Sequence, residues 1–281
     1  MPAWVEIKDA RKKVDDFQLG PLNLEIEAGT ITALVGNNGS GKSTLLKLMM
    51  NLASMDGGAI RILGKPVDGG DESWKRHITF LPQKQVGWSA YTGNELKNLI
   101  APLYLNWDDQ LFNHISGLFD IPLDKRFGKL SPGMQQKLSL ALALPRKTDI
   151  LILDEPTASL DIPSKKQFMD LLVEWMEPED RAVVLTTHQP DDLRKLADYL
   201  FLMKNGQGIG HYEKDRLTST YRRYWLTEMP TSPVPGELSR NGSQLISGNP
   251  NATEQYVLAQ NIQVLDDQAL ELEDIISLLL K

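Results

Sequence analysis

Ile31-Thr32-Ala33-Leu34-Val35-Gly36-Asn37-Asn38-Gly39-Ser40-Gly41-Lys42-Ser43-Thr44 is the stretch on which the reading of this chain turns. Its first five residues form an apolar, β-branched run of the length expected of a buried central strand. Gly36 to Ser43 match G-x-x-x-x-G-K-[ST], and from Ser43 the periodicity changes. Leu45, Leu48, Met49 and Leu52 then fall at i, i+3, i+4 and i+7, one stripe of an amphipathic helix. Strand, glycine-rich loop and helix together are the context that makes the motif a phosphate loop. The glycines let the backbone curl with its N–H groups inward, and the helix N-terminus adds positive potential. Lys42 supplies a point charge for the outer phosphates, and the Ser43 hydroxyl is a ligand for Mg²⁺.

A phosphate loop alone is compatible with kinases, GTPases, motors and transporter ATPases, and a second stretch narrows the choice. Leu151-Ile152-Leu153-Asp154-Glu155-Pro156 ends a buried strand with two adjacent carboxylates, at the edge where open α/β sheets bind ligands. Asp154 is placed to hold Mg²⁺ through water. Glu155 is placed to orient or deprotonate the attacking water, because phosphoryl transfer asks for positioning and charge stabilisation more than covalent chemistry.

Upstream, Val5-Glu6-Ile7 and Leu22-Asn23-Leu24-Glu25-Ile26 alternate with a period of two and predict half-exposed antiparallel strands. Between about residues 84 and 148 β-branched residues are few, and helices are expected around Asn94 to Leu105, Asp108 to Phe119 and Leu130 to Leu144, a mostly helical insertion. Strand character returns at Asp149 to Leu153 and at Ala182 to Thr186. The helix between them carries Phe168, Leu171, Leu172 and Trp175 on one face, which implies parallel pairing through a right-handed crossover and an α/β sheet. Further on, the prolines and glycines crowded between Pro230 and Pro250 mark turns or a loose linker. Leu272, Ile275, Ile276 and Leu279 share one face of a terminal helix. The expected division is one domain over residues 1–215 and a small C-terminal accessory module over 216–281.

The chain has 281 residues, 41% hydrophobic and 24% charged, an ordinary globular composition long enough to build a core without disulfide staples. The absence of cysteine excludes thiol catalysis and Cys-ligated zinc. Thirty Lys+Arg against 37 Asp+Glu give a net charge of −7, so no basic footprint for nucleic acid is visible. The sole basic-aromatic cluster, Tyr221-Arg222-Arg223-Tyr224-Trp225, reads as a partly buried helix with solvated arginines. No apolar run approaches the ~18 residues of a spanning helix, and the N-terminus lacks the basic start and apolar stretch of a secretory signal. The sequon at Asn251-Ala252-Thr253 is accordingly read as chance.

With these residues in place the chain resembles an ATP-binding cassette (ABC) ATPase over about residues 3 to 215. Beyond the two motifs above, Phe80-Leu81-Pro82-Gln83 is similar to the Gln loop and Leu130-Ser131-Pro132-Gly133-Met134-Gln135-Gln136-Lys137 to the signature. Ala158-Ser159-Leu160-Asp161 resembles the D-loop, and Thr186-Thr187-His188 the switch histidine. The resemblance implies a P-loop NTPase cassette with a mixed sheet, a helical subdomain and an antiparallel β subdomain. It implies that ATP and Mg²⁺ are bound by Gly36, Asn37, Asn38, Gly39, Ser40, Gly41, Lys42, Ser43 and Thr44. Ser43, Gln83 and Asp154 would serve the metal, and Glu155 and His188 the chemistry. Ser131 and Gly133 would act in trans on the ATP of a second cassette, with Asp161 in the same interface. Departures exist: proline and methionine stand in the signature where glycine and glutamine are usual, while Ser131 and Gly133 remain. The adenine-stacking aromatic of the family falls near Lys13 or Val14 by spacing, which leaves Phe17 as the candidate beside a plain core role.

An ATPase of this kind works on a partner, so the resemblance implies a polytopic transmembrane permease on another chain and a location on the cytoplasmic face of the membrane. Trp88 and Tyr91, on the loop after Gln83, either meet the coupling helix of that subunit or pack locally. Tyr104 to Asp108, the signature variant and the C-terminal module resemble bacterial exporter ATPases of the bacitracin and phenol-soluble-modulin types. An importer ATPase is the near alternative. A soluble ABC ATPase acting on nucleic acid or ribosomes is the more distant one, disfavoured by the missing basic tail and second cassette.

Overall fold

A computed structural model describes residues 3–178 and 180–281; Met1 and Pro2, part of the N-terminus read above for a leader, lie outside them. The chain divides into two compact units, Met1–His211 and Tyr212–Lys281. The first opens with β1 (Val5–Val14), β2 (Phe17–Ile26), β3 (Ile31–Val35), α1 (Lys42–Met49), β4 (Gly57–Ile62), β5 (Lys65–Pro66) and β6 (Ile78–Leu81). It continues with α2 (Gly93–Ile100), α3 (Asp109–Leu118), α4 (Pro132–Ala143), β7 (Ile150–Asp154), α5 (Ile162–Met176), β8 (Ala182–Thr186), α6 (Pro190–Leu196) and β9 (Tyr199–Lys204). β10 (Gln207–Glu213) runs across the division.

Two sheets follow from two hydrophobic patterns. Where apolar residues alternate, β2-β1-β4-β5 form an antiparallel sheet, with Leu22, Leu24 and Ile26 buried and Asn23 and Glu25 exposed. Where they run continuously, β3, β7 and β8 are buried on both faces at every residue. These three lie inside a six-stranded sheet of order β10-β9-β3-β8-β7-β6, and the pairs β3/β8, β3/β9, β6/β7 and β7/β8 are parallel. Parallel pairing puts the C-terminal ends of β3, β7 and β8 along one edge, which is where Gly36, Glu155 and Thr187 begin their loops. One core holds both sheets and α1: Val5, Leu24 and Ile26 pack in the same cluster as Leu34, Leu45, Leu48, Ile152 and Val184.

From Lys84 to Lys147 the regular elements are helices. The first is shorter than the periodicity predicted, because Pro102 cannot continue the ladder and the chain tightens into a 3₁₀ turn over Ala101–Leu103. Thr92 and Glu95 form a reciprocal capping box at its start. The third begins at Pro132 with Ser131 as its N-cap.

The second unit contains α7 (Lys214–Thr220), β11 (Arg222–Leu226), β12 (Glu237–Asn241), β13 (Gln244–Ser247), α8 (Pro250–Ala259), β14 (Val264–Ala269) and α9 (Leu272–Leu279). Its sheet, of order β12-β13-β11-β14, is antiparallel and closes on Tyr224, Leu226, Val234, Leu245 and Val257. Two expectations are corrected here. Tyr221 to Trp225 is not a helix: Tyr224 and Leu226 are buried and Trp225 between them less so, the period of a strand, while Arg222 and Arg223 pair with Asp267 and Asp274 at 2.5 and 3.0 Å. Of the two readings of Pro230 to Pro250, the loose linker falls and the turns stand, since the stretch holds the hairpin β12/β13, turned at Gly242 with φ 58°. The terminal helix forms as expected, with Leu272 and Ile275 buried.

Leu48, in the last turn of α1, is fully buried in the cluster that joins this helix to both sheets. Leu48→Ala is expected to lower the urea midpoint of the first unit by the equivalent of about 3 kcal/mol, followed by far-UV circular dichroism; a loss below about 1 kcal/mol would mean that this core collapses around the deletion.

Candidate active site

The loop from Gly36 to Gly41 takes its shape from close approaches. A Cβ on Gly36 would stand 2.2 Å from the Met203 carbonyl oxygen and 2.6 Å from Ser40 Oγ, so β9 and the loop meet only through glycine. Gly39 and Gly41 take φ 78° and 104°, conformations that other residues enter at a cost. Ser40 N donates to the Asn37 carbonyl at 3.1 Å, and Gly206 N donates to that of Ser40 at 3.1 Å. Gly41 starts α1 with no side-chain cap and no acidic residue in the first turn, which leaves the positive end of the helix to an external anion. Lys42, only 6% exposed, donates from Nζ to the Gly36 carbonyl at 2.7 Å and the Asn37 carbonyl at 3.2 Å. Burial lowers its pKa, and the nearby carboxylates of Glu155 and Asp154 act in the opposite direction.

The carboxylates are set by the neighbouring strand ends. Thr186 Oγ1, at the end of β8, donates to Asp154 Oδ1 at 2.7 Å and accepts from Glu155 N at 2.9 Å. Ser43 Oγ donates to the same Asp154 oxygen at 3.3 Å. Glu155 then turns left-handed, φ 50°, an uncommon conformation for a residue with a side chain. Its carboxylate accepts from Gln83 Nε2 at 2.9 Å and meets His188 Nε2 at 3.0 Å. A cavity of about 580 Å³ faces these groups and is lined by Phe17, Asn38, Gly39, Gly41, Lys42, Ser43, Thr44, Gln83, Glu155 and His188.

Ten of the seventeen residues singled out in the sequence line this one cavity. Gly36, Asn37 and Ser40 belong to the phosphate loop and Asp154 to the end of β7 without lining it, and Asp161, Ser131 and Gly133 stand on other segments. Asp161 caps α5, accepting from Ser164 N at 2.8 Å, and pairs with Lys137 at 3.3 Å; the Ser164 bonds hold its pKa down at about 2. Ser131 caps α4, accepting from Met134 N at 3.3 Å. Gly133 passes so close to the D-loop that a Cβ there would lie 2.7 Å from the Ser159 carbonyl oxygen. Phe17 serves two surfaces: it packs against the core and lines the cavity, near enough to Gly41 that a Cβ on that glycine would meet its ring at 3.1 Å. Lys13 and Val14 are not among the lining residues. Trp88 packs locally, its indole meeting Phe127 edge-on at 5.5 Å between centroids, whereas the Tyr91 side chain is exposed and only its backbone carbonyl is engaged, by Phe127 N at 2.8 Å. His77 is held by Asp149 at 2.5 Å, and His211 meets Tyr199 in a tilted ring contact, 5.1 Å between centroids; neither lines the cavity.

Sequence reasoning passed over Thr157, Lys165 and Asp192 and quoted Thr187 only as the neighbour of His188; together the four form a polar cluster next to the site. One signal was present. Leu193 and Leu196 mark the inward stripe of α6, and Asp192 stands on its margin rather than on the solvent side where a second acid in a first turn would be placed.

Mg²⁺ takes hard oxygen donors and keeps water and phosphate in its shell. Ser43 and Asp154 fit that donor set, with the Gln83 carbonyl oxygen as a third once its amide nitrogen is engaged by Glu155. Among the described residues no group of three His, Cys, Asp or Glu side chains forms a protein-only metal cage.

Comparison with known proteins agrees with this geometry. The sequence family described as ABC transporter matches residues 19–158. The chain is 27% identical over 218 residues to the ABC transporter ATP-binding protein YtrB of Bacillus subtilis, covering 77% of this chain and 74% of that one. It is 31% identical to the probable siderophore transport system ATP-binding protein YusV of the same organism, covering 68% and 73%. It is also 31% identical to the human phospholipid-transporting ATPase ABCA7, covering 79% of this chain and 11% of that much longer protein. A solved ATP-binding subunit of an ABC transporter superposes with a TM-score of 0.70 at 24% identity, covering 77% and 92%. With the phosphate loop, the paired carboxylates and the glutamine and histidine that hold Glu155 all in family order, the chain belongs to the ABC transporter ATP-binding cassettes and is an ATP hydrolase of that family.

Proposed function

We propose that this chain is the ATP-hydrolysing subunit of an exporter, working as one of two cassettes that enclose two ATP molecules and drive a separate transmembrane permease. The observation that carries this reading is the split of the site. Lys42, Ser43, Gln83, Glu155 and His188 share one cavity, whereas Ser131 and Gly133 stand at the start of α4 and do not line it. A second cassette presenting its own Ser131 and Gly133 would complete the phosphate cage. Lys42, held by two loop carbonyls, would exchange them for the β- and γ-phosphates. Mg²⁺, where bound, supplies charge neutralisation for the phosphate oxygens. Glu155 orients the attacking water, and the contacts from Gln83 and His188 keep its carboxylate aimed at the cavity.

Among the described residues no helix is long and apolar enough to cross a membrane. The permease is therefore proposed as another chain, with the cassette bound to it at the cytoplasmic face. Export rests on the exporter-like Tyr104 to Asp108 segment, the Pro132/Met134 signature and the C-terminal module. Co-purification with a polytopic membrane protein supports transport. Salt-sensitive retention on DNA or ribosomes would move the assignment to the soluble ATPases, and ATP-driven uptake by the reconstituted complex would reverse the direction.

Glu155→Gln is expected to cut steady-state ATP hydrolysis by about a hundredfold or more while retaining ATP binding and shifting the chain to a dimer on size exclusion with ATP. Turnover near the wild-type rate would remove Glu155 from its role. Lys42→Ala is expected to weaken ATP binding by about tenfold or more, because it deletes the charge on the phosphates; unchanged affinity by fluorescence titration would contradict this. Ser131→Ala should impair hydrolysis and leave the nucleotide affinity of the monomer intact, and normal turnover would argue against a site completed in trans.

A further inference from the structure

We infer that Asp192 is a positioning residue that locks the loop after Glu155 to the loop carrying His188, and so sets the distance across which these two side chains meet. The carboxylate is 1% exposed and faces three partners from three parts of the chain. Oδ2 accepts from Thr157 Oγ1 at 2.5 Å and from Thr187 Oγ1 at 2.8 Å, and Oδ1 pairs with Lys165 Nζ of α5 at 2.6 Å. Thr157 is two residues past Glu155, and Thr187 immediately precedes His188. The Thr187 hydroxyl also accepts from Gln189 N at 3.0 Å, and Lys165 donates to the Gln189 side chain, so the backbone on both sides of His188 is tied to the same anion.

A buried carboxylate has a high desolvation cost, and this one is compensated by a cation and two hydroxyls that have no other acceptor as strong. The arrangement has little slack: each loop is held through a short side chain, and both end on one oxygen. Movement of the His188 loop therefore loads the Thr157 bond and reaches the turn that carries Glu155. That coupling is separate from the direct His188 to Glu155 contact at 3.0 Å, which it supports. Asp192 is not among the residues that line the cavity.

The inference rests on the proposed roles of Glu155 and His188, and a double-mutant cycle on ATP hydrolysis by the full chain separates the two claims. Asp192→Asn keeps the shape but removes the charge and one acceptor. It is expected to lower kcat about tenfold or more, with KM for MgATP changed by less than about threefold. In a His188→Ala background the same substitution should cost less than about twofold, because the residue it positions is already gone. Thr187→Val, which deletes a single hydroxyl, should reproduce the kcat loss, and Thr187→Ser should restore turnover; this pair decides the matter if Asp192→Asn does not fold. Losses that multiply in the double variant, or wild-type kcat in Thr187→Val, would overturn the positioning role and leave the function intact. Wild-type kcat in His188→Ala would overturn the role given to His188 and this inference with it.

Discussion

One hydroxyl group holds the site together. Thr186 Oγ1 gives its proton to Asp154 and takes one from the Glu155 amide, at 2.7 and 2.9 Å. It can do both because β7 and β8 are parallel neighbours in register, Asp154 opposite Thr186. With the strand ends tied in this way, Asp154 is directed at Ser43 across the sheet edge, and the chain must bend at Glu155 into its left-handed turn. That turn aims the carboxylate between Gln83 and His188. The strained residue is thus the one proposed to orient the attacking water, and its conformation is held by the bonds to its amide and its carboxylate.

The phosphate loop is tied to this arrangement from the other side. Gly36 admits the Met203 carbonyl, and Lys42 folds back onto two loop carbonyls. A cation with small exposure, bound only to carbonyl oxygens and facing two carboxylates, is a charge held ready for stronger acceptors. Nucleotide phosphates, on the proposed reading of this cavity, would offer such acceptors, so that binding would replace weak neutral partners by charged ones.

The legible parts of the fold and site were those written in local periodicity or fixed spacing. Ile31 to Met49 announced strand, loop and helix, and Leu151 to Pro156 announced a strand ending on two carboxylates; both patterns are contiguous in sequence. The alternation of Leu22, Leu24 and Ile26 likewise gave a half-exposed strand. What could not be read depends on pairing between distant segments. Thr157, Lys165 and Asp192 carry no motif, Thr187 is quoted only as the neighbour of His188, and their joint meaning arises only when two loops and two helices converge. In the second unit the alternation of Tyr224 and Leu226 was hidden by the basic residues beside them, and the prolines around β12 mimicked a linker although they bracket a hairpin.

Gly133 gives the cassette a mechanical property. With the Ser159 carbonyl pressed into the space a side chain would occupy, the start of α4 and the D-loop cannot slide independently. Gln136 adds a bond to the Pro156 carbonyl at 3.0 Å, so the clamp extends to the residue next to Glu155. The segment proposed to face a partner cassette and the segment that follows Glu155 are therefore parts of one lever. In a two-cassette assembly such a lever would make each nucleotide a listener to the other, through one close backbone approach and one side-chain bond.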